Sequence, residues 1–424
     1  MANVFSKEER VAFEDILEGF NDALVLSRNV ATYNTNSTEM ERSQDTIWRP
    51  QPYIATSIDG APGTDISALY KDMVQLSVPS TLGFSKTVPW TLNAKELRDA
   101  LQEGRLGDSA KQKLASDINV ALMNVASAQG TLFVKRTAAA TGFDDVAQAE
   151  AAFNEIGVPS YDRYFALSTR DYNGMAGNLA GRQNVTDLPK EAYRRAYVGM
   201  IASFDTYKLD YANRKTAAAG GAGLTISTAD VAVNYYIPKA TSVSVGGKIN
   251  VDNRYQTVTV SATTNVAAGD AFTIAAVNSV HAITKGDTGQ LKTFRVISVD
   301  SGTTMTISPP IISNQVASGA GAQYQNCVVN TKSATSAIVF LNTVTAYQNP
   351  FWQRDALEIL PGRYAVPSDA GTAVMRASTD QGIELVMQKF YDIDTMKTKY
   401  RLDTLFGVVC KQPEMAGIMM FSQT

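Results

Sequence analysis

The chain has 424 residues, 45% hydrophobic and 19% charged, which is long enough for two or three folded units and too rich in apolar residues for a disordered chain. Its net charge of −3, from 38 basic and 41 acidic side chains, leaves no cationic excess to neutralise a phosphate backbone, which excludes a repressor-like reader of nucleic acid but not a container around it. Two cysteines, Cys327 and Cys410, exclude a disulfide framework and fit a reducing compartment.

The first residues, Met1 to Glu8, lack a basic stretch followed by an apolar one, so no signal peptide is expected. No apolar run reaches the ~18 residues of a membrane span. An amphipathic helix is expected next, with Ser6 and Glu9 as a capping box and Phe13, Ile16, Leu17, Phe20 and Leu24 on one face. That stripe serves either a helix packed on its own body or an arm docked on a partner.

Residues 45–92 carry Pro50, Pro52, Pro62, Pro79 and Pro89 among β-formers such as Trp48, Tyr53, Val74 and Leu76. Proline keeps out of central strands, so this reads as a long extended hairpin with an irregular tip near Asp59 to Gly63. A loop of this length is unusual inside a compact body unless a neighbouring subunit covers it. Phe13, Phe20, Trp48, Tyr53 and Tyr70 are the candidate subunit contacts on that reasoning.

Residues 108–129 form the clearest helix, capped by Asp108 or Ser109 and ended by Gly130, with Leu114, Ile118, Ala121, Leu122 and Val125 on one face. A further helix start is expected at Leu188-Pro189-Lys190-Glu191. The Ala/Gly run from Ala217 to Gly223 reads as a hinge. From Leu224 to about Thr343 the pattern alternates, as in Tyr255 to Val260 and Phe294 to Val299, with turns at Gly246-Gly247, Gly269-Asp270 and Asp300-Ser301-Gly302. An inserted barrel or sandwich follows from that spacing.

The chain offers little for catalysis. His281 is its one histidine, so every histidine-dependent mechanism would have to use it. Gly246-Gly247-Lys248-Ile249 lacks the first glycine and the hydroxyl of a phosphate loop, and no Gly-x-Ser-x-Gly elbow occurs. Acidic pairs such as Asp144-Asp145 and Asp392/Asp394 read as solvated surface. No catalytic, cofactor or metal residue is assigned.

Lys248 to Thr264, with Gly269-Asp270 following, resembles the major coat proteins of short-tailed phages of enteric bacteria, the Salmonella-infecting type. Gln44 to Pro50, Pro189 to Arg194 and Asn349 to Trp352 resemble them in the same order. The resemblance implies an α+β tailed-phage capsid fold with an arm at 1–44, an extended loop at 45–92, and peripheral and axial domains at 93–222 containing a spine helix at 108–129. A β-barrel insertion at 223–343 and a return to the axial and peripheral domains at 344–424 complete it. It implies self-assembly into pentamers and hexamers of an icosahedral shell, a scaffolding protein, a portal ring, non-specifically packaged double-stranded DNA, assembly in the host cytoplasm and residence in the virion. In that family an acidic loop of the insertion bridges capsomers. Here Ser242 to Gly247 carries no acid, which leaves Lys248, Asp252, Arg254 or the backbone for such a contact. The rival reading is an adhesive or carbohydrate-binding β module, which would need a cluster of exposed aromatics among Tyr235, Tyr236, Tyr255, Phe272, Phe294 and Tyr324.

Overall fold

The computed structural model describes residues 5, 7–33, 46–51, 63, 65, 67, 76–93, 100–181, 199–220, 223–227, 241–244, 247–250, 252–314, 324–329, 335–366 and 372–424. The chain divides into two compact units. One takes Met1–Ile47, Ser80–Val125 and Leu357–Val409, and the other takes Trp48–Pro79, Ala126–Ala356 and Cys410–Thr424.

In the first unit, helix α1 (Lys7–Ala23) buries Phe13, Ile16 and Phe20, and Leu24 beyond its end is buried too. Glu9 Oε1 accepts from Lys389 Nζ and, at 2.9 Å, from the Tyr400 hydroxyl. A six-stranded sheet supports it, with Lys397–Cys410 between Leu357–Pro361 and Glu384–Asp392. The strand Phe84–Asn93 joins this sheet antiparallel to Lys397–Cys410, and the Trp90 ring stacks on Tyr400 at 5.6 Å. The last part of the expected 45–92 hairpin is therefore a sheet strand. Among the described residues, Thr46–Pro50 and Ser77–Thr81 make the hairpin ladder, and most of the tip lies outside them.

The long helix α2 runs Ala100–Gln129, not from position 108. Gly104 and Gly107 cost helix propensity, but elongating an existing helix is cheap beside starting one. Its end at Gly130 is fixed by packing, because a Cβ there would sit 2.8 Å from the Ala126 carbonyl and 3.0 Å from the Gly417 nitrogen. The helix start expected near Pro189 lies outside the described residues.

The second unit holds a six-stranded mixed sheet in the order Leu132–Lys135, Ala416–Met420, Asn349–Gln353, Arg163–Ser168, Phe204–Leu209, Met200–Ile201. Helices α3 (Phe143–Ile156) and α4 (Thr169–Gly181) contribute to its core. Phe153, Phe165, Phe204 and Phe351 meet there with ring centroids 5.1–6.1 Å apart, a spacing that adds to area burial. Asp145, expected on a solvated surface, is fully buried. Its carboxylate accepts from Arg136 Nε at 2.6 Å and from the Thr141 and Gly142 nitrogens at 2.6 and 3.1 Å. An acid at the start of a helix satisfies backbone donors that the helix itself cannot.

Strands between Thr225 and Phe340 form a barrel. The order is Thr225–Ser227, Thr335–Phe340, Ala271–Val280, Asp287–Val299, Thr304–Ser308, Gln256–Thr259, and Cys327–Val329 pairs off Ala271–Val280. The Ile226–Val260 bridge and the Ser261 nitrogen on the Thr225 carbonyl at 2.8 Å close the ring. Alternation fills the inside with Ile226, Val258, Phe272, Ile274, Phe294, Val296, Met305 and Ile307.

Within the run expected to be a hinge, Ala217 and Ala218 are pinned. Arg214–Lys215 pairs with Ala346–Tyr347, the Ala218 nitrogen donates to the Asn342 carbonyl at 2.7 Å, and the Ala217 nitrogen donates to Thr345 Oγ1 at 3.1 Å. A Cβ at Gly220 would lie 2.5 Å from the Phe340 ring. Small residues serve close approach here rather than freedom. The barrel sits within the same compact unit as the adjoining sheet. Thr293 Oγ1 donates to the Thr131 carbonyl at 2.9 Å, Lys292 pairs with Glu414, and Phe133, Ala271, Ile418 and Met420 share one apolar cluster.

Candidate assembly surfaces

The residues expected to touch a neighbouring subunit divide into distinct groups. Phe13 and Phe20 are buried within their own chain, Phe20 completely, so in this conformation they present no surface to a neighbour. Trp48, in the hairpin ladder, is 37% exposed and available. Tyr53 and Tyr70 lie outside the described residues. Lys248 sits in the strand Gly247–Asn250, opposite Val243 of the antiparallel strand Thr241–Ser244.

Asp252 and Arg254 are spent at home. Arg254 is buried, and Nε and Nη2 meet the Asp252 carboxylate at 3.0 and 2.7 Å. Its Nη1 donates to the Cys410 carbonyl at 2.8 Å, and its guanidinium lies 5.1 Å from the Tyr255 ring centroid. A fork with both prongs satisfied inside one chain is not free for a second chain. That corrects the expectation of a capsomer bridge through Arg254.

His281 serves a turn. Nδ1 accepts from the Ile283 and Thr284 nitrogens at 3.3 Å each, and the Ala282 nitrogen donates to the Ile156 carbonyl at 2.7 Å. No group of three or more His, Cys, Asp or Glu among the described residues is placed to hold a metal ion. No helix among them is long and apolar enough to cross a membrane.

Among the described residues, one exposed apolar group was not picked out in the sequence. The hairpin that turns between Glu384–Asp392 and Lys397–Cys410 exposes Phe390, Tyr391, Ile393 and Met396, Ile393 to 80%. The available signal was Tyr391, Ile393 and Met396 interleaved with the turn acids Asp392 and Asp394, where turns are ordinarily polar. A cavity of about 380 Å³ opens beside the barrel, lined by Ile156, Pro159, Ile283, Lys285, Pro310 and Met415 among others. Of the aromatics that an adhesive module would expose, Tyr255, Phe272, Phe294 and Tyr324 fall among the described residues, and none of them is exposed. Phe272, Phe294 and Tyr324 are buried, Tyr255 packs beneath Arg254, and Tyr235 and Tyr236 lie outside the described residues.

A match to a coat-protein family over nearly the whole chain makes this a structural subunit, a major capsid protein whose copies form an icosahedral shell. The sequence matches the family described as P22 coat protein, gene protein 5, over residues 1–422. The chain belongs to the P22 coat protein family. Among solved structures it is similar to the CUS-3 coat protein I-domain at 42% identity, covering 29% of this chain and 99% of that one, with a TM-score of 0.22. It is similar to a chain from Mycobacterium phage Che8 at 10% identity, covering 93% and 90%, with a TM-score of 0.43. The capsid of Cyanophage P-SCSP1u follows at 9% identity, 93% and 86%, with a TM-score of 0.41. The family match over nearly the whole chain carries the assignment.

Proposed function

We propose that this coat protein assembles in the host cytoplasm, under a scaffolding protein, into pentamers and hexamers of a precursor shell for a short-tailed enteric phage. A portal ring replaces one vertex, and the shell expands as double-stranded DNA enters. The single observation that supports this reading is the match over residues 1–422, which includes the barrel as well as the surrounding fold. A net charge of −3 suits a container that touches DNA without gripping it. Weak subunit contacts suffice because a closed lattice multiplies them.

Among the expected contact residues, Trp48 and the hairpin that carries Lys248 are the ones we assign to neighbouring subunits. Arg254 is withdrawn, since it is engaged within its own chain. The test is negative-stain microscopy of the chain co-expressed with the phage's scaffolding protein. Closed shells of one diameter are expected. Open sheets, filaments or soluble chains alone would overturn the reading.

A further inference from the structure

Two element ends in the second unit leave backbone groups that secondary structure cannot satisfy. Ser127 lies in the last turn of α2, where carbonyls have no partner further along the helix. Cys410 ends the strand Lys397–Cys410. Both residues are buried, so water does not stand in. Ala126 and Cys410 are also two of the three points where the chain enters this unit.

The barrel supplies the missing donors. Arg295 Nη2 donates to the Ser127 carbonyl at 2.8 Å, and Arg254 Nη1 donates to the Cys410 carbonyl at 2.8 Å. Gln129 Oε1 accepts from the Cys410 nitrogen at 3.4 Å, which ties the helix end to the strand end. Arg295 alternates with Phe294 and Val296, which fill the barrel core, so its side chain leaves through the barrel wall. It is completely buried. A cation on the last-turn carbonyl of a helix also meets the negative end of the helix dipole.

Each arginine has a carboxylate as its electrostatic partner. Asp252 holds Arg254 through two prongs. Asp270, itself buried, acts on Arg295 and is held by Lys215 Nζ and Asn342 Nδ2 at 3.0 Å each. Burial pulls the Arg295 guanidinium down to about 10, with Asp270 opposing, so it remains a cation at neutral pH. A buried cation is a poor choice for filling space, since an apolar side chain of similar volume does that at lower cost. Its use here is to bind the main-chain carbonyls at the two element ends.

We propose that Arg254 and Arg295 are positioning residues for shell assembly: from the barrel they clamp the Cys410 and Ser127 carbonyls and so fix the end of the long helix and the end of the strand.

The experiment is hydrogen exchange by mass spectrometry on the full chain, with Arg295→Met and Arg254→Met, followed by co-expression with the scaffolding protein. Losing one charge-assisted bond raises exchange by roughly tenfold or more over 126–130 and 410–412. Exchange in the barrel core, across 272–274 and 305–307, stays at the parent level, and the shells formed are open or mixed in size. Equal loss of protection in the barrel core would make the arginines supports of the barrel fold and overturn the proposal. Parent-like exchange at both ends, or uniform parent-like shells despite faster exchange, would overturn it too. Should either methionine variant fail to fold, Arg295→Lys and Asp270→Asn carry the same readouts. The lysine keeps the charge without the fork, so an intermediate rise at 126–130 is expected and no rise is the refuting result.

Discussion

The His281 imidazole closes over Gly157, so that a Cβ at position 157 would lie 2.8 Å from His281 Nε2. Gly157 caps α3 with φ +86°, and its nitrogen donates to the Phe153 and Asn154 carbonyls. The histidine turn, the helix end and the barrel thus meet at a residue that has no side chain.

Gly157→Ala therefore meets both a left-handed backbone and a blocked Cβ. It should destabilise the chain by roughly 1–3 kcal/mol, read from the urea midpoint. Adding His281→Ala should recover part of that loss, because the ring is the obstacle. Additive losses in the double variant would show that the ring and the glycine act independently.

Phe20 and Trp48 separate body from lattice. Phe20 is completely buried, so Phe20→Ala should cost about 3–5 kcal/mol in the free subunit. Ile118, completely buried on α2, should cost about 2–5 kcal/mol as alanine. Trp48 is 37% exposed, so Trp48→Ala should leave the soluble subunit folded and lower the yield of shells. Normal assembly by the Trp48 variant would remove that residue from the subunit interface. Unfolding of the variant would place it in the core.

The barrel should fold when excised as 223–343. Its wall is closed by the Ile226–Val260 bridge and its core is its own. Circular dichroism should show a β spectrum and one cooperative melt. The fragment loses the Thr131, Ser127 and Glu414 partners of Thr293, Arg295 and Lys292. It should therefore melt below the same strands in the full chain. A disordered fragment would show that the barrel depends on those anchors.

Local rules carried some of this fold into the sequence and not the rest. Gly130 is read as the end of α2 because glycine is a local stop signal, although the close approach of Ala126 and Gly417 is what requires it. Alternation at Tyr255 to Val260 and Phe294 to Val299 marks barrel strands for the same reason. The Ala217 to Gly223 run reads as a hinge because its composition is local, whereas the bonds that pin it come from Asn342 and Thr345, more than a hundred residues on. The α1 stripe shows that Phe13 and Phe20 are buried but not against what. The roles of Arg254 and Arg295 at the two element ends are least legible, since the groups they bind there are main-chain carbonyls, which leave no residue type to recognise.

The cysteines give the chain a pH dependence whose sign follows from burial. Cys327 and Cys410 are both completely buried. Burial pushes each thiol up to about 12, against partial opposition from Lys292 at Cys327 and from Arg254 at Cys410. An unfolded thiol titrates near 9.0. The folded state thus holds its protons to higher pH than the unfolded state. The resulting stability is fully present below pH 9 and is lost as pH rises toward about 12. Urea midpoints should fall between pH 8 and about pH 10 more steeply for the parent chain than for a Cys327→Ala/Cys410→Ala variant, since comparing the two removes the lysine and tyrosine contributions that both share. At pH 8, iodoacetamide should leave both thiols of the native chain unmodified and should label both in denaturant. Rapid labelling of the native chain, or parallel pH slopes for parent and variant, would show that the two thiols are not held protonated by the fold.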